Sequence, residues 1–395
     1  MVINMECLIG MRMMLANNSI DAVVTDPPYG LSKQPDMNEV LHHWLNGDDY
    51  VHTGGGFMGK TWDSFVPGPS VWKEVFRVLK PGGHLLAFFG TRTYDLGTLA
   101  IRLAGFEIRD QIDWVYGSGF PKSLDVSKAT DNEQWQGWGT ALKPAHEPIC
   151  VARKPLTGTV AENILQFGTG GMNIDGCRTE LNGDFKSSAN GRPSITGLSD
   201  NYDPSTANQP DTQGRWPANL IHDGSDEVVN LFPAKAGAAA PVKGTEQSEV
   251  TNGIYGKFND RVPGQFYSDT GSAARFFYCA KASKSDRDEG VMLAMVTGAE
   301  MTGREPDTDG LNSPRAGAGR TSGARNNHPT VKPTALMQWL VRLVTPPGGK
   351  VLDPFAGSGS TGKACAIEGF EFIGFEMDPH YCEIAKQRIA YVNNR

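Results

Sequence analysis

Apolar runs alternate with amphipathic segments along the first 155 residues of the chain. Residues 70–80 place Trp72, Val75, Phe76 and Leu79 at the spacing of one helix face, and a Pro-Gly-Gly sequence follows them. The same criteria predict strands at residues 22–25, 84–89, 108–116 and 148–152, and a second helix at residues 94–104. This alternation predicts an α/β fold with a parallel, doubly wound sheet and helices on both faces.

The pattern dissolves between residues 157 and 326, which are dense in Gly, Asn, Ser, Asp and Pro. One interpretation is a loop-rich or partly disordered insertion, and another is a substrate-recognition region. Residues 312–333 carry Arg315, Arg320 and Arg325 without any acidic residue, so they could follow a phosphate backbone. A solvated linker would have the same composition, and both interpretations stay open.

Regular structure returns after the insertion, but in too few elements to form a sheet alone. Helices are predicted at residues 334–344, 360–368 and 379–392, and strands at residues 350–355 and 370–376. We therefore expect these elements to complete the sheet begun by the first residues. The predicted organisation is a first catalytic part (1–156), an inserted target-recognition region (157–325) and a second catalytic part (326–395).

The sequence Asp-Pro-Pro-Tyr-Gly follows the apolar residues 22–24, with only Thr25 between them. The Asp26 carboxylate and the Pro27 carbonyl could each accept one hydrogen of a planar amine, while Pro27 and Pro28 fix the backbone without a competing N–H. Tyr29 could stack on a base, and Gly30 leaves room for its ring. A solvent-exposed turn is the alternative, which the preceding buried strand disfavours.

A glycine turn follows the short strand-like sequence Lys350-Val351-Leu352. Gly357, Gly359 and Gly362 fit the dinucleotide fingerprint GxGxxG, with Glu376 placed to bind a ribose. A phosphate-binding P-loop is disfavoured, because Ala364 stands where a Ser or Thr would bind magnesium. The third candidate ligand is S-adenosylmethionine (SAM).

Asp353 favours SAM over a dinucleotide. A carboxylate attracts the ammonium group of SAM and would repel a pyrophosphate. Taken with the acidic turn at Asp26, the glycine turn predicts transfer of a methyl group from SAM to an amino group of a base.

These motifs together resemble the N6-adenine/N4-cytosine DNA methyltransferases, specifically the circularly permuted group often called beta and its phage-borne members. In that group a DPPY segment comes first, a recognition region follows, and the SAM glycine turn comes last. The resemblance covers about residues 3–155 and 326–391. It implies a Rossmann-like SAM-dependent methyltransferase fold with Asp26, Pro27, Pro28 and Tyr29 at the catalytic site.

The resemblance also implies which residues bind the cofactor. Glu6 and Cys7 match a segment whose carboxylate binds the adenine amino group of SAM, and Thr330 and Lys332 match one at its methionine end. Glu376 would take the ribose. The remaining predicted cofactor-binding residues are Asp353, Pro354, Phe355, Ala356, Gly357, Ser358 and Gly359.

The expected activity is methylation of adenine N6 in double-stranded DNA after base flipping. Cytosine N4 methylation uses the same geometry and is the first alternative. A noncatalytic DNA-binding protein and a dehydrogenase are alternatives from other classes. Arg315, Arg320 and Arg325 are the candidate DNA contacts, and a homodimer is left open.

Composition adds few constraints. The 395 residues have a formal net charge of −7, so a DNA-binding face has to come from local charge. No apolar run is long enough to span a membrane, and the first residues lack a signal-peptide pattern, which predicts a cytoplasmic protein. Six scattered cysteines indicate neither disulfides nor a zinc site, and no metal site is predicted.

Overall fold

The computed structural model describes residues 1–31, 33–53, 61–119, 123–180, 214–236, 271–281, 283–297, 300 and 323–394. The strands are β1 (Val2–Asn4), β2 (Ile20–Thr25), β3 (Leu79–Phe88), β4 (Glu107–Val115), β5 (His146–Arg153), β6 (Leu220–His222), β7 (Tyr278–Cys279), β8 (Lys350–Asp353) and β9 (Glu371–Glu376). The helices are α1 (Cys7–Met14), α2 (Met37–Asn46), α3 (Pro69–Val78), α4 (Tyr94–Leu103), α5 (Val126–Thr130), α6 (Val160–Phe167), α7 (Asp226–Val229), α8 (Lys284–Asp288), α9 (Thr334–Val344), α10 (Ser360–Glu368) and α11 (Pro379–Asn393).

The strands form one sheet in the order β1-β9-β8-β2-β3-β5-β4-β6-β7. The central strand β2 pairs in parallel with β8 on one side and with β3 on the other, and all six of its residues are buried. Burial on both faces explains its continuous apolar run. The late elements therefore complete the sheet begun by the early ones, as the sequence predicts.

The prediction that the sheet is parallel is wrong at β5. This strand runs antiparallel to both of its neighbours, β3 and β4. The apolar run at residues 148–152 is the basis for predicting a strand, and such a run looks the same in either direction. The reversal brings the first residues of β5 to the edge of the sheet where the parallel strands end.

Local sequence signals explain most element boundaries. Helix α3 begins with Pro69 at its first position, where the missing N–H costs nothing, and it buries Trp72, Val75 and Val78. The Pro-Gly-Gly sequence expected to stop this helix lies instead inside β3, which begins at Leu79. Helices α9 and α10 have the predicted bounds.

The described chain divides into two compact units. The first contains Met1–Cys177, Asn219–Val228 and Cys279–Arg395, and the second contains Arg178–Ala218 and Val229–Tyr278. Both predicted catalytic parts fall in the first unit, which also takes in residues from the predicted insertion, among them α6. Among the described residues, no helix is both long and apolar enough to cross a membrane.

Candidate active site

Three acidic residues lie at the carboxyl ends of adjacent parallel strands. Asp26 follows β2, Asp353 ends β8 and Glu376 ends β9. Parallel α/β sheets bind ligands in the crevice at this edge, where the first side chains beyond the strands meet. A cavity of about 430 Å³ is lined by all three residues, and this volume lies in the range of small-molecule sites.

Most of the predicted site residues line this one cavity. They are Glu6, Cys7, Asp26, Pro27, Pro28, Tyr29, Thr330, Lys332, Asp353, Pro354, Phe355, Ala356, Gly357, Ser358 and Glu376. Gly359 does not line the cavity and directly precedes α10. Arg325 does not line the cavity, and its guanidinium donates to the Leu293 carbonyl at 3.4 Å. Arg315 and Arg320 lie outside the described residues.

The acidic turn is held from both sides by hydrogen bonds to its backbone. Asp63 Oδ1 accepts from the N–H groups of Tyr29 (2.7 Å) and Gly30 (3.2 Å). Thr93 Oγ1 donates to the Tyr29 carbonyl at 2.6 Å. Because Gly30 adopts a positive φ of 63°, the turn needs glycine at that position. The turn is thus rigid, and Asp63 is one of the residues that fix it.

We expect Asp63→Ala to lower the melting temperature, and with it any activity that depends on the acidic turn. The change leaves two N–H groups of the turn without their acceptor, at a cost of about 1–3 kcal/mol for each one that stays buried. Asp63→Asn is the matched control, because both N–H groups bond to a single oxygen that asparagine keeps. Equal losses in the two variants would mean that the charge of Asp63 matters and not its hydrogen bonds.

Lys332 contacts the Asp26 carboxylate. Its Nζ lies 2.6 Å from Asp26 Oδ2 and 3.2 Å from Glu147 Oε2, and its side chain is 6% exposed. Glu147 Oε2 also accepts from the Tyr29 hydroxyl at 3.0 Å. Asp26 Oδ1 is buried and has no hydrogen-bond partner within the described part of the chain. The side-chain ammonium of Lys332, which was predicted to contact the methionine end of SAM, is therefore already paired with two carboxylates of the protein.

Charges around Asp26 act on its pKa in opposite directions. Burial raises the pKa of Asp26 above its usual value, Lys332 lowers it, and Glu147 raises it. Burial lowers the pKa of Lys332, but Asp26 and Glu147 outweigh that effect and raise it. Lys332 is therefore charged at neutral pH and favours the ionised form of Asp26.

The Asp353 carboxylate is used inside the protein. Its Oδ1 accepts from Thr25 Oγ1 (2.6 Å) and from the Phe355 N–H (3.1 Å), and its Oδ2 accepts from Thr361 Oγ1 (2.6 Å). Burial raises the pKa of Asp353 to about 6 against the opposing effect of these bonds. Asp353 thus joins the ends of β2 and β8 to the start of α10, and the ammonium of a cofactor would have to compete with three donors.

Two further acidic side chains also contact backbone N–H groups. Glu376 accepts from the Gly357 N–H through Oε2 and from the Asp378 N–H through Oε1, both at 2.8 Å. Glu6 caps α1 by accepting from the N–H groups of Leu8 and Ile9, both at 2.9 Å. These bonds fix both carboxylates at the cavity wall.

Other residues support the glycine turn without having been predicted to do so. Arg388 is fully buried and donates to the Ser358 carbonyl at 2.6 Å. A Cβ on Gly357 would come within 2.9 Å of His328 Nε2, and burial lowers the pKa of His328 to about 3. The His328 ring, neutral at physiological pH, stacks on Trp62 at 6.2 Å between centroids.

The charges that line the cavity fit SAM better than a phosphate-bearing cofactor. The described lining includes seven carboxylates: Glu6, Asp26, Asp63, Glu147, Asp353, Glu376 and Asp378. Lys332 is the one Lys or Arg residue in the same described lining, and its ammonium is paired with two of these carboxylates, Asp26 and Glu147. Lys363, the P-loop-like lysine, is bound to Glu289 at 2.7 Å and is 2% exposed. This environment attracts a cation such as a sulfonium and repels a pyrophosphate.

A family model for DNA methylases of the N6/N4 type matches residues 20–387. The chain belongs to this family. The matched range contains the acidic turn, the described part of the insertion and the glycine turn, in that order. The predicted N6/N4 methyltransferase family is confirmed, and with it the Rossmann-like fold and the SAM cofactor of that family.

Individual relatives match the chain over shorter segments. The DNA adenine methyltransferase YhdJ of Escherichia coli is 43% identical over 63 residues, which cover 16% of this chain and 21% of that protein. The type II methyltransferase M.HindIII of Haemophilus influenzae is 27% identical over 188 residues, which cover 40% of this chain and 60% of that protein. The chain therefore spans less than two thirds of the length of these curated relatives.

Solved structures align over almost the whole chain at low identity. The cytosine-N4-specific PvuII DNA methyltransferase is 14% identical with a TM-score of 0.44, and the alignment covers 100% of this chain and 91% of that one. A DNA modification methylase of Thermus thermophilus, complexed with SAM, is 16% identical with a TM-score of 0.40 and coverages of 99% and 95%.

Proposed function

We propose that the protein transfers the methyl group of SAM to the N6 amine of adenine in double-stranded DNA, at a specific sequence and after base flipping. The observation that carries the proposal is the buried Asp26 Oδ1, an acceptor without a donor among the described residues, at the wall of an acidic cavity. A buried acceptor costs free energy unless a ligand satisfies it. A base amine is such a ligand.

The residues around the acidic turn supply what an aromatic amine lacks as a nucleophile. Asp26 Oδ1 accepts one amine hydrogen and the Pro27 carbonyl accepts the other, which favours a tetrahedral nitrogen with a localised lone pair. Tyr29 stacks on the base. When bound, SAM supplies an electrophilic methyl on its sulfonium sulfur. The amine of the base would displace this methyl group from sulfur, and its surplus proton would pass to water.

Three considerations support adenine over cytosine. Asp26 begins the turn, where the resembling cytosine enzymes more often have Ser. YhdJ, 43% identical over 63 residues, is named as an adenine methyltransferase. A purine stacks more surface on Tyr29 than a pyrimidine does, and an A·T pair opens more easily than G·C, which together favour adenine by about 1–2 kcal/mol.

The roles of the remaining site residues belong to the same proposal. Glu6, Cys7 and Glu376 would hold the nucleoside of SAM, and Thr330 with residues 353–359 would hold its methionine end. Arg315, Arg320 and Arg325 are proposed to contact phosphates. The order of the motifs supports membership of the permuted beta group.

We expect DNA incubated with the protein and methyl-labelled SAM to acquire label in N6-methyladenine. Nucleoside mass spectrometry of the digested DNA measures this directly. Unmethylated duplex DNA of mixed sequence is the substrate, and the same DNA with protein but without SAM is the control. Label in N4-methylcytosine alone would overturn the choice of base and keep the chemistry, whereas DNA binding without label would indicate a noncatalytic protein.

A further inference from the structure

The charged side chains of Asp26, Glu147 and Lys332 come from distant parts of the sequence and lie together beside the Tyr29 hydroxyl. Asp26 follows β2, Glu147 is the second residue of β5, and Lys332 precedes α9. Asp26 and Lys332 are 306 positions apart, so no local turn requires their contact. Buried ionic groups that lie this close act as a unit.

One side of this cluster fixes the orientation of Asp26. Lys332 Nζ binds Oδ2 at 2.6 Å, which leaves Oδ1 as the oxygen without a protein donor among the described residues. A carboxylate without this contact could rotate and present either oxygen. The ion pair therefore selects the oxygen that meets the target amine.

The other side of the cluster fixes Tyr29. Glu147 Oε2 accepts from the Tyr29 hydroxyl at 3.0 Å and lies 3.2 Å from Lys332 Nζ. One carboxylate oxygen thus holds both the stacking ring and the ammonium. Lys332 Nζ also lies 5.4 Å from the centroid of the Tyr29 ring. A single carboxylate would suffice to neutralise Lys332, so the second one needs another explanation.

We propose that Glu147 and Lys332 are positioning residues for methyl transfer, with Lys332 keeping Asp26 ionised and oriented and Glu147 holding Lys332 and Tyr29 in one clamp. This inference rests on the proposed function, because it assigns the orientation of Asp26 to a target amine. It is independent of which base carries that amine.

The two residues act in opposite directions on the protonation of Asp26. The charged or titratable groups that face Asp26 are Lys332, Glu147, Tyr29 and Asp353. Lys332 lowers the pKa of Asp26 and Glu147 raises it. Methyl transfer requires the ionised carboxylate, so activity is lost as the pH falls through the pKa of Asp26. Removing the positive charge moves this acidic limb to higher pH, and removing the negative charge moves it to lower pH.

We expect Lys332→Met and Glu147→Gln to shift the acidic limb of the pH–rate profile in these opposite directions. The measurement is the single-turnover rate of methyl transfer from tritiated SAM to duplex DNA across the pH range. At neutral pH, Lys332→Met should be slower by about tenfold or more, as for loss of a charge-assisted hydrogen bond. Glu147→Gln should lower the plateau rate, because the glutamine amide holds Lys332 more weakly.

Glu107→Gln is the matched control. Glu107 Oε2 lies 2.7 Å from Arg153 Nη2, an ion pair that joins β4 to the end of β5 opposite Glu147. Its removal should leave the acidic limb in place. If Lys332→Met does not fold, Glu147→Gln carries the test alone, because it keeps the pair between Lys332 and Asp26.

The inference would be overturned if the acidic limb of the pH–rate profile stayed in place, or moved in the same direction, in both folded variants. The proposed function would still stand in that case if the wild-type protein labels DNA. A wild-type protein that labels no DNA would overturn both. Unchanged SAM affinity in the variants, measured by calorimetry, would agree with a role at the target amine.

Discussion

Asp26→Ala is expected to reduce methyl transfer at least about tenfold while leaving most of the SAM affinity in place. The carboxylate would act on the target amine through Oδ1, and its loss removes a charge-assisted hydrogen bond that strengthens as the amine becomes tetrahedral. Single-turnover transfer to duplex DNA and calorimetric titration with SAM measure the two quantities separately.

Asp21→Ala is the control for Asp26→Ala. Asp21 lies on β2, the strand that leads to Asp26, and is also ion-paired, with its Oδ1 2.6 Å from Lys80 Nζ, but it does not line the cavity. Both variants should lose some stability, because each leaves a lysine without one carboxylate partner. If Asp26→Ala keeps more than about a tenth of the wild-type turnover, the transition state has lost less than about 1.4 kcal/mol of stabilisation. That result would contradict the role of Asp26.

Gly359→Ala is expected to abolish measurable SAM binding and to lower the melting temperature. Gly359 has φ +77°, and a Cβ there would lie 2.8 Å from Ala385 Cβ and 2.9 Å from Ala385 Cα. The backbone of α11 cannot move away without displacing Arg388, which donates to the Ser358 carbonyl. Strain and overpacking together should cost about 2–5 kcal/mol.

Gly369→Ala provides a control with the same backbone strain. Gly369 also has φ +77°, at the other end of α10, but a Cβ there would have no atom within 4 Å. It should lose only the strain contribution, about 1–2 kcal/mol, and bind SAM normally. If both glycine variants lose SAM binding equally, the contact with Ala385 is not what the turn requires.

The sequence was sufficient to identify the acidic turn and the glycine turn and to predict that they lie close together in the fold. Asp26 follows one buried run and Asp353 ends another, and such runs become neighbouring parallel strands whose carboxyl ends lie at one edge. The role of Asp353 was less predictable. Its hydrogen bonds to Thr25 and Thr361 depend on the register between β2, β8 and α10, which no pattern in the sequence encodes.

Glu147 could not be assigned to the site from the sequence, because the direction of a strand in the sheet is not visible in an apolar run. Had β5 run parallel, its first residues would have been at the far edge of the sheet from Asp26. The available signal was an acidic residue directly before the buried residues 148–152, at a position where a charge is costly unless it is paired. Lys332 likewise matched a family segment, but its partner 306 positions away could be identified only in three dimensions.

The sheet also sets the timing of folding during protein synthesis. Thr25 and Asp353 are 328 positions apart, and strand β2 has only β3 beside it until β8 has been made. At about 5–20 residues per second, the ribosome needs roughly 15–65 s to cover that distance. During this interval the edge of β2 that later pairs with β8 has unpaired backbone N–H and C=O groups, so the nascent chain should depend on chaperones until the glycine turn has been translated.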